Sequence, residues 1–554
     1  MITNTASSDP MEGLHRAQPQ ISMSEVDVDM KQRLRDRIPT MDRILDITHQ
    51  PGMSIGVIHH GKDVLKHNFG VRDTTTGLKP NGDTLYCIAS LTKAFMAASI
   101  DQLVQEKKLS WDSTIKSVVP GFDRDDIFSH MTVRDICSHR TGLLSLDEIT
   151  QGMDARILVD KKDVVKVSNA LPAKHELRTN FLYNNALYAL AGHIVEQVSD
   201  HDNWGHFQHD RIFEPLGMTR TTAFRSVHET DDNIATGYMV LTNGKLSPIA
   251  PTELSADSMN GGSGGVRSSV DDLLKWCRCL LASFHPSEQN TNKIVQPNSP
   301  IFNRSAIADA HSPTSAEGDY CQGWCYHQTP ASLGLISPNR TLFSPILGAA
   351  SPALQIYGHQ GDVPGYTCNI YLIPATNSAV VILSNGTGLS DATDWIAQDL
   401  IQTMYELQPA IDFVDAALHA RNIYRGHYER DFLNPLKEHQ KLDTHPPPPP
   451  RISWDLDADS RDGMGAEKKK VLRMTVNKQA DQVWNLTHYQ SDVFSHLPDS
   501  ADKCLARGLN RTLWSSFLTS FTRDDEGGAV NGIWWRLDGV DVHFTRHETS
   551  PTLS

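Results

Sequence analysis

"YCIASLTKAF", residues 86–95, sets a serine and a lysine three positions apart among Ile88, Ala89 and Phe95, with Met96 next in line. A serine hydroxyl is a poor nucleophile near neutral pH and needs a base within hydrogen-bond reach. On a helix, positions three apart share a face with Cβ atoms about 5–6 Å apart, so the amine of Lys93 can reach the hydroxyl of Ser90. A lysine accepts a proton only when neutral, and apolar surroundings favour that form. S-x-x-K alone decides little, because a chain of 554 residues holds about one or two such matches by chance. What decides is whether other chemistry-bearing residues follow in order.

The whole chain sets the bounds. Its length implies about three or four domain-sized units. Composition is that of a globular protein, with 39% hydrophobic and 21% charged residues, and no stretch reads as a membrane span. Fifty-one basic against 66 acidic residues give a net charge of −15, which argues against nucleic acid or an anionic membrane as partner. The basic run Lys468–Lys470 reads as a solvated turn. The first thirty residues lack the basic and apolar regions of a secretory signal, so a cytoplasmic location is expected. Eight scattered cysteines show no paired zinc-ligand spacing and read as buried free thiols; no metal or cofactor is expected.

Along the chain, residues 1–22 are polar and read as disordered. Met30, Leu34, Ile38, Met41 and Leu45 recur at helical spacing, with a kink or restart at Pro39. "MSIGVIHH", a turn at Gly61-Lys62 and "DVLKHNFGVRD" predict a hairpin. Helices follow in the segment through "TKAFMAASIDQLVQEKKLS", in "MTVRDICSHRTGLL" closed by Gly142, in "NNALYALAGHIVEQV" and in "SSVDDLLKWCRCLLASF" capped by Ser269. The stretches near 283–318 and 328–354 read as long loops. Strands return in "TCNIYLIP" and "SAVVILSNG", then a helix in "DWIAQDLIQTMYEL". This order predicts an α+β fold: an antiparallel sheet built from both ends, flanked by helices, with an inserted helical region. From about residue 411, "RNIYRGHYERDF", "WDLDA", "KVLRMTV", "QVWNLTHYQSDVFS", "TSFTRDD" and "NGIWWRLDGVDVHFTRH" read as short strands of a small antiparallel β-barrel, with Pro446–Pro450 as a stiff connection.

"LYCIASLTKAF" resembles the nucleophile helix of the serine β-lactamase and penicillin-binding-protein superfamily, in particular its class C β-lactamase, D-alanyl-D-alanine carboxypeptidase and esterase branch. "MTVRDICSHRTGL" is similar to that branch's helix-then-glycine signature. "FLYNNALYALAGHIVEQVS" resembles its Y-x-N motif, here Tyr183-Asn184-Asn185, and "GGSGGVRSSVDDLLKW" its glycine-rich turn. "GHQGDVPGYTCNIYLIP" offers H-x-G, His359-Gln360-Gly361, where relatives carry K-T-G or H-x-G. The matches run in family order from about residue 40 to 407. The resemblance implies a catalytic domain over residues 23–410, and a lipocalin-like β-barrel over 411–554 on the strength of "WNLTHYQSDVFS" and "GIWWRLDGVDVHFTR".

It implies roles as well. Ser90 attacks the acyl carbonyl, Lys93 and Tyr183 share the proton traffic, and Asn185 holds Lys93 and the acyl side chain. His359 polarises the site or binds a carboxylate, Gly361 lets substrate lie close to the strand, and the backbone amides of Ser90 and Asp362 bind the oxyanion. Such a site takes a small ester or amide as acyl donor. If water resolves the acyl-enzyme the protein is a hydrolase; if a small alcohol or amine does so it is an acyltransferase. A catalytically idle scaffold of the same fold is the third reading. Histidine in the third motif and the expected location both argue against efficient β-lactam hydrolysis.

Overall fold

The computed structural model describes residues 23–285, 294–297, 299–302, 319–440, 472–475, 479, 481–490, 492–508, 514–523, 530–537 and 539–545. The N-terminal 22 residues, the proline run, Lys468–Lys470, "WDLDA" and most of the loop read near 283–318 lie outside them. The remaining loop, 328–354, contains one short 3-10 turn, Pro338–Thr341.

Near-continuous apolar runs that are buried on both faces make central strands. Here β1 (Gly52–His59), β2 (Lys62–Gly70), β3 (Asp319–Tyr320), β4 (Cys325–Gln328), β5 (Gln355–Val363), β6 (Tyr366–Ile373) and β7 (Ser378–Ser384) form one antiparallel sheet in the order β2-β1-β7-β6-β5-β4-β3. The first hairpin turns at His60-Gly61, one residue earlier than expected. Both residues have positive φ, 49° and 76°, as a two-residue turn that matches strand twist requires.

The period-two pattern divides the sheet's side chains between two cores. Ala379, Val381 and Leu383 of β7 join one with Phe95, Leu190 and Leu274; Val380 and Ile382 join the other with Leu34, Met41, Trp395 and Phe413. The second core is covered by α1 (Met23–Arg35) and α2 (Ile38–Thr48). Pro39 falls in the first turn of α2, where its missing N–H costs nothing, so the helix restarts there. The first core is covered by α3 (Thr92–Gln105), α4 (Asn185–Val198) and α5 (Val270–Ser283), the last capped by the Ser269 hydroxyl. The second is closed by α6 (Ala392–Tyr405).

Three sequence expectations change. The nucleophile segment is not continuous helix: Tyr86–Cys87 pairs as a short strand with Arg267–Ser268, Ala89–Leu91 forms a 3-10 turn, and α3 begins at Thr92. The helix in "MTVRDICSHRTGLL" ends at Cys137, and His139, not Gly142, takes the first left-handed conformation after it. "RNIYRGHYERDF" is helical. Phe413, Ala416, Ala417 and Ala420 lie at helical spacing, Asp412 caps the first turn, and α7 (Phe413–Arg425) packs into the second core beside α2 and α6, so burial overrides the β preference of its aromatic residues.

The C-terminal strands β8 (Leu472–Thr475), β9 (Val483–Gln490), β10 (Val493–Ser495), β11 (Leu518–Arg523), β12 (Val530–Leu537) and β13 (Val540–Thr545) form a six-stranded antiparallel sheet in sequence order. It is a curled half-barrel that fits a lipocalin-like domain. Among the described residues, its first and last strands are not paired to each other. No helix among the described residues is long and apolar enough to cross a membrane.

The N-terminal helices are tied to α6 by Arg37, whose guanidinium grips the Asp399 carboxylate at 2.9 and 2.6 Å. The Asp399 side chain is 0% exposed, that of Arg37 34%. Arg37→Met strands a buried carboxylate and is expected to cost about 2–4 kcal/mol in urea unfolding, less than for a fully dry pair because Arg37 is partly solvated. The double variant Arg37→Met/Asp399→Leu is expected to recover most of that loss; a double variant as unstable as the single one would contradict this role.

Candidate active site

Ser90 sits in the 3-10 turn directly after Ala89, whose φ of 47° is a left-handed conformation that a non-glycine residue adopts only under constraint. The constraint comes from β5. A Cβ placed on Gly361 would lie 2.5 Å from the carbonyl oxygen of Ile88 and 3.2 Å from the Ala89 Cβ, so only glycine lets the strand press against this turn. Ser90 is thereby held at the front of α3, half-buried, with Lys93 one turn further on.

Lys93 is fully buried, and its ammonium group meets three oxygens: Ser90 Oγ at 3.0 Å, Asn185 Oδ1 at 2.8 Å and the Ser263 carbonyl at 2.8 Å. Two of these can only accept. The Ser263 oxygen is a carbonyl, and Asn185 is oriented by its own amide nitrogen, which donates to Asp147 Oδ2 at 2.8 Å. A neutral Lys93 amine therefore spends its two protons on Asn185 and Ser263 and turns its lone pair toward Ser90. Burial lowers its pKa from the usual lysine range to about 7, against a smaller opposing pull from the Asp147 charge.

Tyr183 completes the contact on Ser90, its phenol donating to Oγ at 2.9 Å. Burial pushes the Tyr183 pKa up, so the phenol keeps its proton. The Lys93 nitrogen lies 4.7 Å from the Tyr183 ring centroid and 5.3 Å from that of Tyr188. The middle residue of the Y-x-N motif is structural: Asn184 caps α4 by accepting from Leu187 N at 2.9 Å and donates to the Leu143 carbonyl at 2.8 Å.

His359 is buried and linked at both nitrogens. Its Nδ1 lies 2.6 Å from the Gln360 carbonyl, an acceptor only, so Nδ1 carries the proton and Nε2 accepts from the Tyr320 hydroxyl at 3.0 Å. Burial and the Lys93 charge lower its pKa to about 3, so the ring is neutral and is not a ready cation for a carboxylate. Gly361 faces the serine turn. Next in the strand, Asp362 carries a carboxyl that burial and Asp391 push up to about 7.

The structure thus gathers Ser90, Lys93, Tyr183 and Asn185 into one hydrogen-bonded group, with Gly361 against it and His359 one ring removed, 6.3 Å from Tyr183 between centroids. Sequence reading missed five contributors, the first being the Ser263 carbonyl on Lys93. Asp147 and Ser145 brace Asn185, Ser145 accepting from the Asn185 backbone at 2.8 Å and donating to Asp147 at 2.8 Å. Tyr320 bonds His359, and the His139 ring packs, tilted by 39°, against Tyr183 at 4.3 Å between centroids while accepting from Asn184 N. The only sequence signal for Asp147, Ser145 and His139 was their place around "RTGLL"; Tyr320 follows residues that carry no pattern. Beside Asn185 opens a cavity of about 310 Å³, bordered also by residues 151–153 and 155–158, Val363, Pro364 and, from the C-terminal unit, Gln482 and Trp484.

Residues 39–403 match the beta-lactamase family. The chain belongs to that family, one of serine hydrolases. Among curated relatives, an unguisins hydrolase of Aspergillus campestris is 26% identical over 369 residues, 64% of this chain and 62% of that protein's length. Penicillin-binding protein 4* of Bacillus subtilis is 23% identical over 64% of this chain and 73% of its own length. The chain therefore spans about three-fifths of the unguisins hydrolase it matches. Among solved structures, the octameric penicillin-binding protein homologue from Pyrococcus abyssi aligns over 93% of this chain and 96% of its own, with a TM-score of 0.54 at 19% identity. A class C beta-lactamase in complex with cefoxitin aligns over 68% of this chain and 99% of its own, with a TM-score of 0.54 at 19% identity. These likenesses establish the beta-lactamase fold.

Asp147 raises the Lys93 pKa, so removing its charge has a defined sign. Asp147→Asn keeps an acceptor for the Asn185 amide but lowers the Lys93 pKa, and the acidic limb of Ser90 labelling by a fluorophosphonate is expected to move to lower pH. A limb that stays in place or moves up contradicts the assignment.

Proposed function

We propose that the protein is a serine-nucleophile hydrolase that forms an acyl-enzyme at Ser90 with a small ester or amide. One observation carries this reading: the Ser90 hydroxyl is bonded at once to a lysine with a pKa of about 7 and to a phenol that keeps its proton. Lys93 Nζ takes the Ser90 proton as Oγ bonds to the acyl carbon. The oxyanion is bound by the backbone amides of Ser90 and Asp362. Collapse breaks the bond to the leaving oxygen or nitrogen, which receives the Tyr183 proton, and the Lys93 ammonium restores the phenol. Water then attacks by the reverse traffic.

Asn185 serves twice in this scheme, fixing the lysine and offering its amide edge to the acyl side chain. The neutral His359–Tyr320 pair favours ester and internal amide leaving groups over those ending in a carboxylate. The relationship to an unguisins hydrolase supports hydrolysis over acyl transfer as the natural reaction.

Intact mass after brief exposure to an activated ester and to a penicillin tests the reading. An adduct at Ser90, absent in Ser90→Ala and cleared by water, is expected, and Tyr183→Phe is expected to slow its formation by about 10²- to 10⁴-fold. Clearance only on adding an alcohol or amine would make the protein an acyltransferase. No adduct from any activated donor would favour the scaffold.

A further inference from the structure

The C-terminal unit meets the active-site side of the catalytic domain at Gln482, Trp484 and Arg507. Residues 151–157 form a small hairpin in which Gln151 pairs with Ile157 and Gly152 N donates to the Arg156 carbonyl at 2.9 Å. Just before it lies Asp147, which orients Asn185, and Gln151 donates to Asp147 at 3.2 Å. At the hairpin tip Asp154 and Ala155 both have a φ of 59°, two consecutive non-glycine residues in the left-handed region. Such a tip needs something to hold it.

Gln482, 1% exposed and immediately before β9, meets it from the C-terminal unit. Its Oε1 accepts from Met153 N at 2.8 Å and its Nε2 donates to the Met153 carbonyl at 3.2 Å, so the carboxamide pairs with both backbone groups of one residue as a strand neighbour does. The approach depends on Gly152, where a Cβ would lie 2.4 Å from Gln482 Oε1. Arg507 seconds the grip: its Nε lies 2.9 and 3.2 Å from the Asp154 carboxylate, and its carbonyl accepts from Asp154 N at 2.8 Å. Trp484, two residues on and inside β9, packs on Met153 and Leu158 and borders the cavity beside Asn185.

We propose that Gln482 is a positioning residue for the reaction at Ser90: by clasping the Met153 peptide it fixes the 151–157 hairpin, and through it Asp147 and the Asn185 oxygen that orients Lys93. The C-terminal sheet is then a working part of the acyl pocket and not an appended module. The inference rests on Ser90 being the nucleophile. The groups that face Lys93 are Ser90, Tyr183 and Tyr188, the neutral imidazoles of His139 and His359, and Asp147 behind Asn185. Of these only Asp147 is a charge that the clasp holds in place.

Gln482→Met removes both hydrogen bonds at similar volume, Gln482→Glu keeps the acceptor and loses the donor, and Arg507→Ala loosens the tip from the half-buried side. Thermal melts establish that each variant is folded. In Gln482→Met, kcat for p-nitrophenyl acetate is expected to fall on the order of ten-fold with little change in KM, and the acidic limb to move to lower pH as Asp147 loses its fixed place. Gln482→Glu is expected to fall between it and the wild type. Amide hydrogen exchange over 147–158, which needs no turnover, is expected to speed up in Gln482→Met and Arg507→Ala. Unchanged exchange there, or wild-type kcat and an unmoved limb in a folded Gln482→Met, overturns the proposal. A wild-type protein without a Ser90-dependent adduct overturns the reading of Ser90 itself and the clasp's role with it, a failure told apart by its appearing before any change at Gln482.

Discussion

A lysine amine surrounded by three oxygens, two of which can only accept, is the constraint around which this molecule is arranged. Burying that nitrogen costs several kcal/mol unless it is hydrogen-bonded and its charge relieved. The fold meets the first requirement from three distant segments, since Ser90, Asn185 and Ser263 lie on separate elements. It meets the second by letting the pKa fall to about 7. A neutral amine in that cage has one direction left for its lone pair, toward Ser90.

The surrounding architecture serves that cage. Gly361 allows β5 to press on the serine turn, and the left-handed Ala89 that results places Ser90 ahead of α3 instead of within it. The sheet behind is buried on both faces, so β5 cannot shift without disturbing two cores. On the opposite side Gln482 holds Met153 of the 151–157 hairpin, Gln151 of that hairpin bonds Asp147, Asp147 holds Asn185 and Asn185 holds Lys93. Asp147 enters electrostatically as well, its charge tempering the drop that burial imposes on the lysine.

Much of this was legible in the chain because it is written in local spacing. S-x-x-K, Y-x-N and H-x-G each need only a few adjacent residues, and Ser269 and Pro39 mark their helix starts by rules that hold within a turn. The residues that escaped notice act across long sequence separations: Ser263 offers a backbone oxygen, which no side-chain pattern reveals, and Gln482 bonds a peptide 329 positions away. The misreadings share a cause. Aromatic residues after 411 favoured strand by propensity, but alanines and Phe413 at helical spacing had a core to pack against. The nucleophile segment favoured helix throughout, until contact with β5 imposed a turn that only the tertiary structure specifies.

The central claim is that Lys93 is neutral at working pH because the fold makes it so. Its most direct test is an NMR titration of the protein labelled with ¹³C at lysine Cε, with Lys93→Arg used to assign the resonance. A Lys93 signal that titrates near pH 7, well apart from the surface lysines, is the result predicted here. A signal that titrates with the others in the usual lysine range would leave an ammonium facing Ser90, which could not accept its proton, and would contradict the account.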